Sequence, residues 1–283
     1  MEIPARFARP PRRSLVYGEE VTNSRAEQAL ELPEALRPWI TGISTVAAVG
    51  PPEESFVHLP DVGTKIVVRV GVTGHRDVIA AGPRVRASYH DGKALASCVE
   101  MRLAPGTARP LLGVPAVALV GKVVPLDELP GSTARELGRD LRWLAPEETA
   151  AHLADVLPER LTRTSDRAEL VRAGVDAMSV RIGRTPGQVS QVARELAVSE
   201  RQLRNLFAEG VGLSPKHYAR INRVHAVLTH ATTAPWAELA TATGYYDQSH
   251  MTSDFRALMG VPPRSYFTGR LPAATPCQAN PRP

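Results

Sequence analysis

The chain has 283 residues, 43% of them hydrophobic, with a formal charge of +5 and two cysteines. That apolar content can core one large or two ordinary domains. Two cysteines are too few for a disulfide framework, so Cys98 and Cys277 are expected as thiols in a reducing cytoplasm, and no apolar run nears the roughly 18 residues a bilayer demands.

In chain order, residues 1–30 carry Arg6, Arg9, Arg12 and Arg13 among prolines, without the apolar stretch of a signal peptide, and read as a flexible lead-in. Residues 40–125 are rich in Val, Gly and Pro, with strand-like runs at 65–70, 77–80, 96–103 and 122–124. Short strands punctuated by Gly and Pro, with no crossover helices between them, predict a sandwich or a barrel. From Ser132 the spacing turns helical: Leu137, Leu141 and Leu144 recur on one face, and Pro146 opens a second helix running to Leu157. This pair either folds back on the strands or builds a dimer interface. Residues 161–165 form a hinge, and residues 166–182 the first helix of a C-terminal domain, broken at Thr185, Pro186 and Gly187. The expected division is therefore a lead-in over 1–30, a β-rich domain with a helical extension over 31–165, a helical domain over 166–270 and a disordered tail over 271–283. The positive charge excess lies wholly in residues 166–283, as expected of a module that binds a polyanion.

The helical domain repeats itself. Val192 and Leu239, Ala193 and Ala240, Ala197 and Gly244, and Val198 and Tyr245 correspond at an offset of 47. Leu203 and Met251, Phe207 and Phe255, Gly212 and Gly260, Pro215 and Pro263, and Tyr218 and Tyr266 correspond at 48, with one residue inserted near Tyr246. Each unit reads as a short helix, a tight turn and a second helix, the grammar in which the second helix can enter a DNA major groove. In unit one, Ser199 is placed to cap the second helix; Leu203, Leu206 and Phe207 face inward, leaving Arg201, Gln202, Arg204 and Asn205 outward with chemistry suited to base edges and phosphates. In unit two, Asp247 is the expected cap and Met251, Phe255 and Leu258 the buried stripe. Gln248, Ser249, Thr252, Ser253 and Arg256 are left outside, together with Asp254, which would repel phosphate if it faced DNA. A long helix from Ser214 and Pro215 to about Ala231 joins the units, with Lys216 and Arg220 placed to clamp phosphates.

Residues 199–218, SERQLRNLFAEGVGLSPKHY, and 240–266, ATATGYYDQSHMTSDFRALMGVPPRSY, closely resemble the DNA-binding domain of AraC/XylS-type transcriptional regulators. Gly244, Tyr245, Ser249, His250, Phe255, Gly260 and Pro263 fall at the family spacing. The resemblance spans about residues 166–270 and implies two helices in successive major-groove segments. Ser199, Arg201, Gln202, Arg204 and Asn205 would then contact DNA from the first unit, and Gln248, Ser249, Thr252, Ser253 and Arg256 from the second. Ser253 and Asn205 stand where relatives often carry basic residues. The runs LLGVPAVAL (111–119) and VVPLDELPG (123–131) resemble one bacterial subgroup of such regulators, which implies a cupin-like barrel ahead of the helical domain. The resemblance also implies double-stranded operator or promoter DNA as partner, a small-molecule effector or homodimerisation through the first domain, RNA polymerase as a further partner of an activator, and a cytoplasmic location without a membrane.

Other readings compete. His58, His75 and His90 with Asp61, Glu100 or Cys98 can in principle ligate a divalent ion in a cupin-like enzyme, but the spacing matches no metal motif, and neither a phosphate loop nor a nucleophile elbow is present. An interaction adaptor that merely carries the helical domain is the other alternative. No catalytic residue, metal or cofactor is assigned. Tyr89, His90, Arg84, Arg86 and Arg102 are the polar and aromatic groups available to line an effector pocket.

Overall fold

The computed structural model describes residues 25–48, 55–91, 95–161, 165–180, 187–231 and 234–276. Most of the expected lead-in, hinge residues 162–164, Thr185 and Pro186 of the helix break, and the tail from Cys277 lie outside the described residues.

Alternation of apolar side chains builds the first half. Strands β1 (Arg25–Leu30), β2 (Ile40–Ala48), β4 (Lys65–Gly71), β5 (Arg76–Ala81), β7 (Leu95–Leu103) and β8 (Val123–Pro125) form an antiparallel sheet in the order β1-β2-β7-β4-β5-β8. The four strand-like runs read from the sequence correspond to β4, β5, β7 and β8. Because successive side chains in a strand face opposite ways, Ile66, Val68, Val78, Ala80, Val99 and Met101 share one core, while Val67, Ile79 and Cys98 form a small cluster of their own. A second sheet, in the order β3-β6-β9, contains β3 (Phe56–His58), β6 (Ser88–Asp91) and β9 (Thr275–Pro276), the last pairing in parallel with β6. Two stretches thus differ from expectation: residues 25–30 of the lead-in are an edge strand, and residues 275–276 of the tail are strand-paired.

Helix α1 (Ala108–Leu112) and helices α2 (Ser132–Asp140) and α3 (Pro146–Arg160) cover the main sheet. Leu137 and Leu141 on one side, and Leu153 and Leu157 on the other, are buried in the same core as the strands. The helical extension therefore folds back; its apolar stripe is consumed within the chain.

The rest is helical: α4 (Asp166–Met178), α5 (Val189–Glu195), α6 (Glu200–Gly210), α7 (Pro215–His230), α8 (Trp236–Ala242), α9 (Gln248–Met259) and α10 (Pro263–Phe267). Their buried side chains form a second core centred on Phe207, Ile221, Val224, Met251 and Phe255. Half-buried Leu59, Val62, Val85, Ala87 and Val120 from the first half pack against it. Backbone bonds fasten this seam: Ala87 N–H donates to Leu258 O at 2.7 Å, and Gly106 N–H to Gly210 O at 2.9 Å. The Tyr89 hydroxyl donates to Met259 O at 2.7 Å, and burial pushes its phenol up to about 12. No helix among the described residues is long and apolar enough to cross a membrane.

Candidate nucleic-acid interface

The two units repeat in geometry as well as in sequence. In the first, Ala197 takes a left-handed φ of 54°, its N–H bonds Arg194 O, and Val198 N–H bonds Ala193 O at 2.9 Å. In the second, Gly244 has φ of 81°, its N–H bonds Thr241 O, and Tyr245 N–H bonds Ala240 O at 2.9 Å. The following helices start alike. Ser199 Oγ accepts from Gln202 N–H at 3.1 Å, and Asp247 Oδ1 from His250 N–H at 2.7 Å, each satisfying an amide that the first turn leaves unpaired. Phe207 then meets Tyr218 edge-on at 5.7 Å and 74°, and Phe255 meets Tyr266 at 5.8 Å and 70°. These aromatic pairs seat each second helix on the helix that follows it.

With Leu203, Leu206 and Phe207 fully buried, α6 turns Arg201, Gln202, Arg204 and Asn205 outward, all exposed. Arg204 Nη2 pairs with Glu200 Oε2 at 2.5 Å, but both side chains are about half exposed, at 55% and 43%. Such a surface pair contributes only about 0–1 kcal/mol, so it yields readily to a phosphate or a base edge. Ser199 spends an acceptor lone pair on its cap and remains exposed.

Helix α9 buries Met251, Phe255, Leu258 and Met259 and exposes Gln248, Ser249, Ser253 and Arg256, with Thr252 half-buried. Asp254 does not share that outer face. It is 8% exposed and faces α7, where Arg220 Nε donates to Oδ1 at 2.7 Å and Arg223 lies 3.7 Å from Oδ2. This corrects the expectation that Asp254 lies on the outer side of α9: three residues after Met251 and four before Leu258, it falls on the buried stripe. Arg220, expected to clamp a phosphate, gives its Nε to that carboxylate and is one-third exposed. Lys216 is exposed on the first turn of α7.

Three residues beside α9 were not singled out for this surface. Tyr246, one position before the cap, is 92% exposed. Arg86 and Ala87, from the segment before β6, join Gln248, Ser249, Thr252, Ser253 and Arg256 around a groove of about 900 Å³. Nothing local in the sequence links Arg86 to α9, whereas an exposed tyrosine at a helix start was legible from its place in the repeat.

Four of the groups considered for an effector pocket are engaged within the chain. Arg102 donates two parallel hydrogen bonds to Asp61, Nη1 to Oδ1 at 2.7 Å and Nη2 to Oδ2 at 2.9 Å, and Lys65 bridges Asp61 and Glu100. Burial opposes the Asp61 charge, but Arg102 and Lys65 outweigh it and hold the carboxyl well below the usual carboxylate range. Arg84 reaches Leu59 O, the Tyr89 hydroxyl is bound to Met259 O, and the His90 ring lies tilted against Phe56 and edge-on to His58. Among the described residues, no group of three or more His, Cys, Asp or Glu side chains is placed to hold a metal ion.

Residues 192–269 match a family model described as a helix-turn-helix domain. Among solved structures, the C-terminal domain of AraT, a response regulator from Geobacillus stearothermophilus, is 24% identical with a TM-score of 0.34, covering 41% of this chain and 98% of its own. The C-terminal domain of the response regulator yesN from Fusobacterium nucleatum is 18% identical with a TM-score of 0.31, covering 36% and 99%. ToxT from Vibrio cholerae is 12% identical with a TM-score of 0.39, covering 82% and 98%. No curated protein matches the chain. Carrying two capped, turn-matched copies of one helical unit and matching that family model, residues 192–269 are a helix-turn-helix domain.

Proposed function

We propose that this chain is a sequence-specific transcriptional regulator that lays α6 and α9 into successive major-groove segments of one DNA duplex. The observation that carries the reading is the paired exposure of groove-reading side chains on two equivalent helices, each held rigid by the same cap and aromatic pair. The 16-residue helix α7 spaces them: at about 1.5 Å per residue it is some 24 Å long, and recognition helices beyond its two ends suit segments about one helical turn, roughly 34 Å, apart. Arg201, Gln202, Arg204 and Asn205, with Ser199 at the cap, make the first contact set. Gln248, Ser249, Thr252, Ser253 and Arg256 make the second, and Lys216 holds the backbone between. Residues 166–270 act as the DNA-binding domain. Residues 31–165 act as the domain through which an effector or a second copy modulates it, and RNA polymerase is engaged where the regulator activates.

Selection of the full chain against random duplexes tests this reading. The expected result is enrichment of two short motifs about one helical turn apart; recovery of no motif would overturn sequence-specific binding, and recovery of a single motif would overturn the two-helix arrangement.

A further inference from the structure

The second unit contains one residue that the first lacks. Val198 corresponds to Tyr245 across the repeat, and the cap Ser199 corresponds to the cap Asp247, so Tyr246 is the insertion between turn and cap. It is 92% exposed, and among the described residues of the helical half it is the one large hydrophobic side chain so placed. Its direction follows from the residue after it. Asp247 is extended, with φ of −152° and ψ of 175°, and turns its carboxylate back onto the His250 amide. Side chains on either side of an extended residue point the same way, so Tyr246 shares the outward side of Gln248, the first residue of α9. That end of α9 is short of charge. Of Gln248, Ser249, Thr252, Ser253 and Arg256 only the last is a cation, towards the far end of the helix, whereas α6 presents Arg201 and Arg204 in its first half. Nor is Tyr246 among the described residues that line the groove Arg86 shares with α9, so the two side chains address different stretches of a bound strand.

We propose that Tyr246 is an uncharged phosphate anchor for the second unit: its phenol O–H donates to a backbone phosphate oxygen at the edge of the segment that α9 reads, and so fixes how α9 enters the groove. This rests on α9 being a DNA-reading helix. Tyrosine hydroxyls belong to the phosphate-binding groups that set a protein's register on a duplex without carrying base information. With only two rotatable bonds, the side chain gives up little entropy on docking. A neutral donor cancels no phosphate charge and releases no counterion, so its contribution does not fade with salt as that of Lys216 does. The two units are thereby held differently, the first by arginines and the second by a hydrogen bond that persists at high salt.

The test titrates the full chain with a duplex carrying its two selected motifs, at several salt concentrations. Tyr246→Phe removes only the hydroxyl of an exposed ring and leaves the fold intact. It is expected to lower affinity about tenfold, the loss of one bond to a charged acceptor, on the selected duplex and on singly substituted ones alike. The slope of log affinity against log salt should stay that of the parent, and so should base preference. Replacing single phosphates beside the second motif by neutral methylphosphonates then locates the bond: at one position the parent loses affinity and Tyr246→Phe loses much less. Unchanged affinity in Tyr246→Phe, even where Tyr246→Ala binds more weakly, would assign the contact to the ring or to nothing and overturn the proposal. A shallower salt slope, an altered base preference or additive losses at every phosphate would overturn it too. A parent that selects two motifs, with Tyr246→Phe behaving as the parent does, removes this inference alone; a parent that selects one motif or none removes the two-helix reading with it.

Discussion

Arg220 Nε donates to Asp254 Oδ1 at 2.7 Å, joining the rod between the two units to the second recognition helix. Arg223 backs the same carboxylate and lays its guanidinium 5.0 Å from the centre of the Tyr245 ring, at the turn before α9. One buried carboxylate thus fixes the orientation of α9 on α7. Removing it leaves two arginines facing an empty, enclosed site. Asp254→Ala is expected to cost about 2–3 kcal/mol, less than a fully buried pair because Arg220 is a third exposed. Urea denaturation of the variant, of Arg220→Ala and of the double variant measures the coupling; strictly additive losses would show that the bond does not hold α9.

The groove and the backbone contacts separate by variant. Arg201→Ala removes a side chain placed for base edges, so it should lower affinity for a selected site and relax preference at one or two base pairs, each worth about 1–3 kcal/mol. Lys216→Ala removes a cation from the α7 start. It should weaken all duplexes alike and reduce the slope of log affinity against log salt by about 1. Gel-shift titrations on selected and scrambled duplexes at several salt concentrations distinguish the two patterns, and a uniform loss in Arg201→Ala would remove it from the base-reading set.

The turn at Ala197 is strained. An L residue at φ of 54° bears a clash between Cβ and its own carbonyl of roughly 1–2 kcal/mol, whereas the equivalent Gly244 at φ of 81° bears none. Ala197→Gly relieves the clash but frees the unfolded chain, for a net gain of about 0.5–1 kcal/mol and a rise in Tm of about 1–4 °C. Gly244→Ala should move Tm the opposite way. Calorimetric melting of both variants checks the pair, and a fall in Tm for Ala197→Gly would show that the turn is not strained.

Acid should loosen the seam between the halves. His225 on α7 holds the Pro60 carbonyl through Nε2 at 2.5 Å, among Asp61, Arg102 and Lys65. Burial pushes its imidazole below the ordinary value of 6.5, against the opposing effects of Pro60 and Asp61. The unfolded chain therefore takes up this proton first. The stabilisation is complete above about 6.5 and is lost as pH falls through the lower folded value, with a slope of up to about 1.4 kcal/mol per pH unit for one proton. His217 and His230 are shifted the same way, so the informative quantity is a difference. Stability of His225→Gln, which keeps a donor towards Pro60, should depend less steeply on pH between 6.5 and 5 than that of the parent. Parallel curves would exclude His225 as a source of the acid response.

Elements built from local repetition were legible in the sequence. Caps, turns and aromatic anchors of the two units, and the strands with clean apolar alternation, follow from spacing over a few residues. Strands β6 and β9 had no such signal, since SYHD is polar and Thr275 pairs with His90 across most of the chain. The inward turn of Asp254 follows from spacing as well: it stands three residues after Met251 and four before Leu258, on the buried stripe itself. What no spacing discloses is the seam, where Pro60, Ala87 and Tyr89 meet α7 and α9.

That seam places a cation from the first half beside the second recognition helix. Arg86 shares a groove with Gln248, Ser249, Thr252, Ser253 and Arg256, and the neighbouring Ala87 is fixed to the end of α9 through Leu258 O. If α9 enters a major groove, Arg86 stands at the phosphate edge of that groove, where its charge offsets the modest basicity of a helix with one arginine on its outer face. Arg86→Ala should weaken every duplex by about the loss of one phosphate contact, reduce the salt slope by about 1 and leave base preference intact. Arg86→Lys should restore most of the affinity, because a phosphate demands charge more than a planar fork. If Arg86→Ala instead tightens binding, the first half obstructs α9 rather than assisting it, and DNA must displace this segment before the second unit can read.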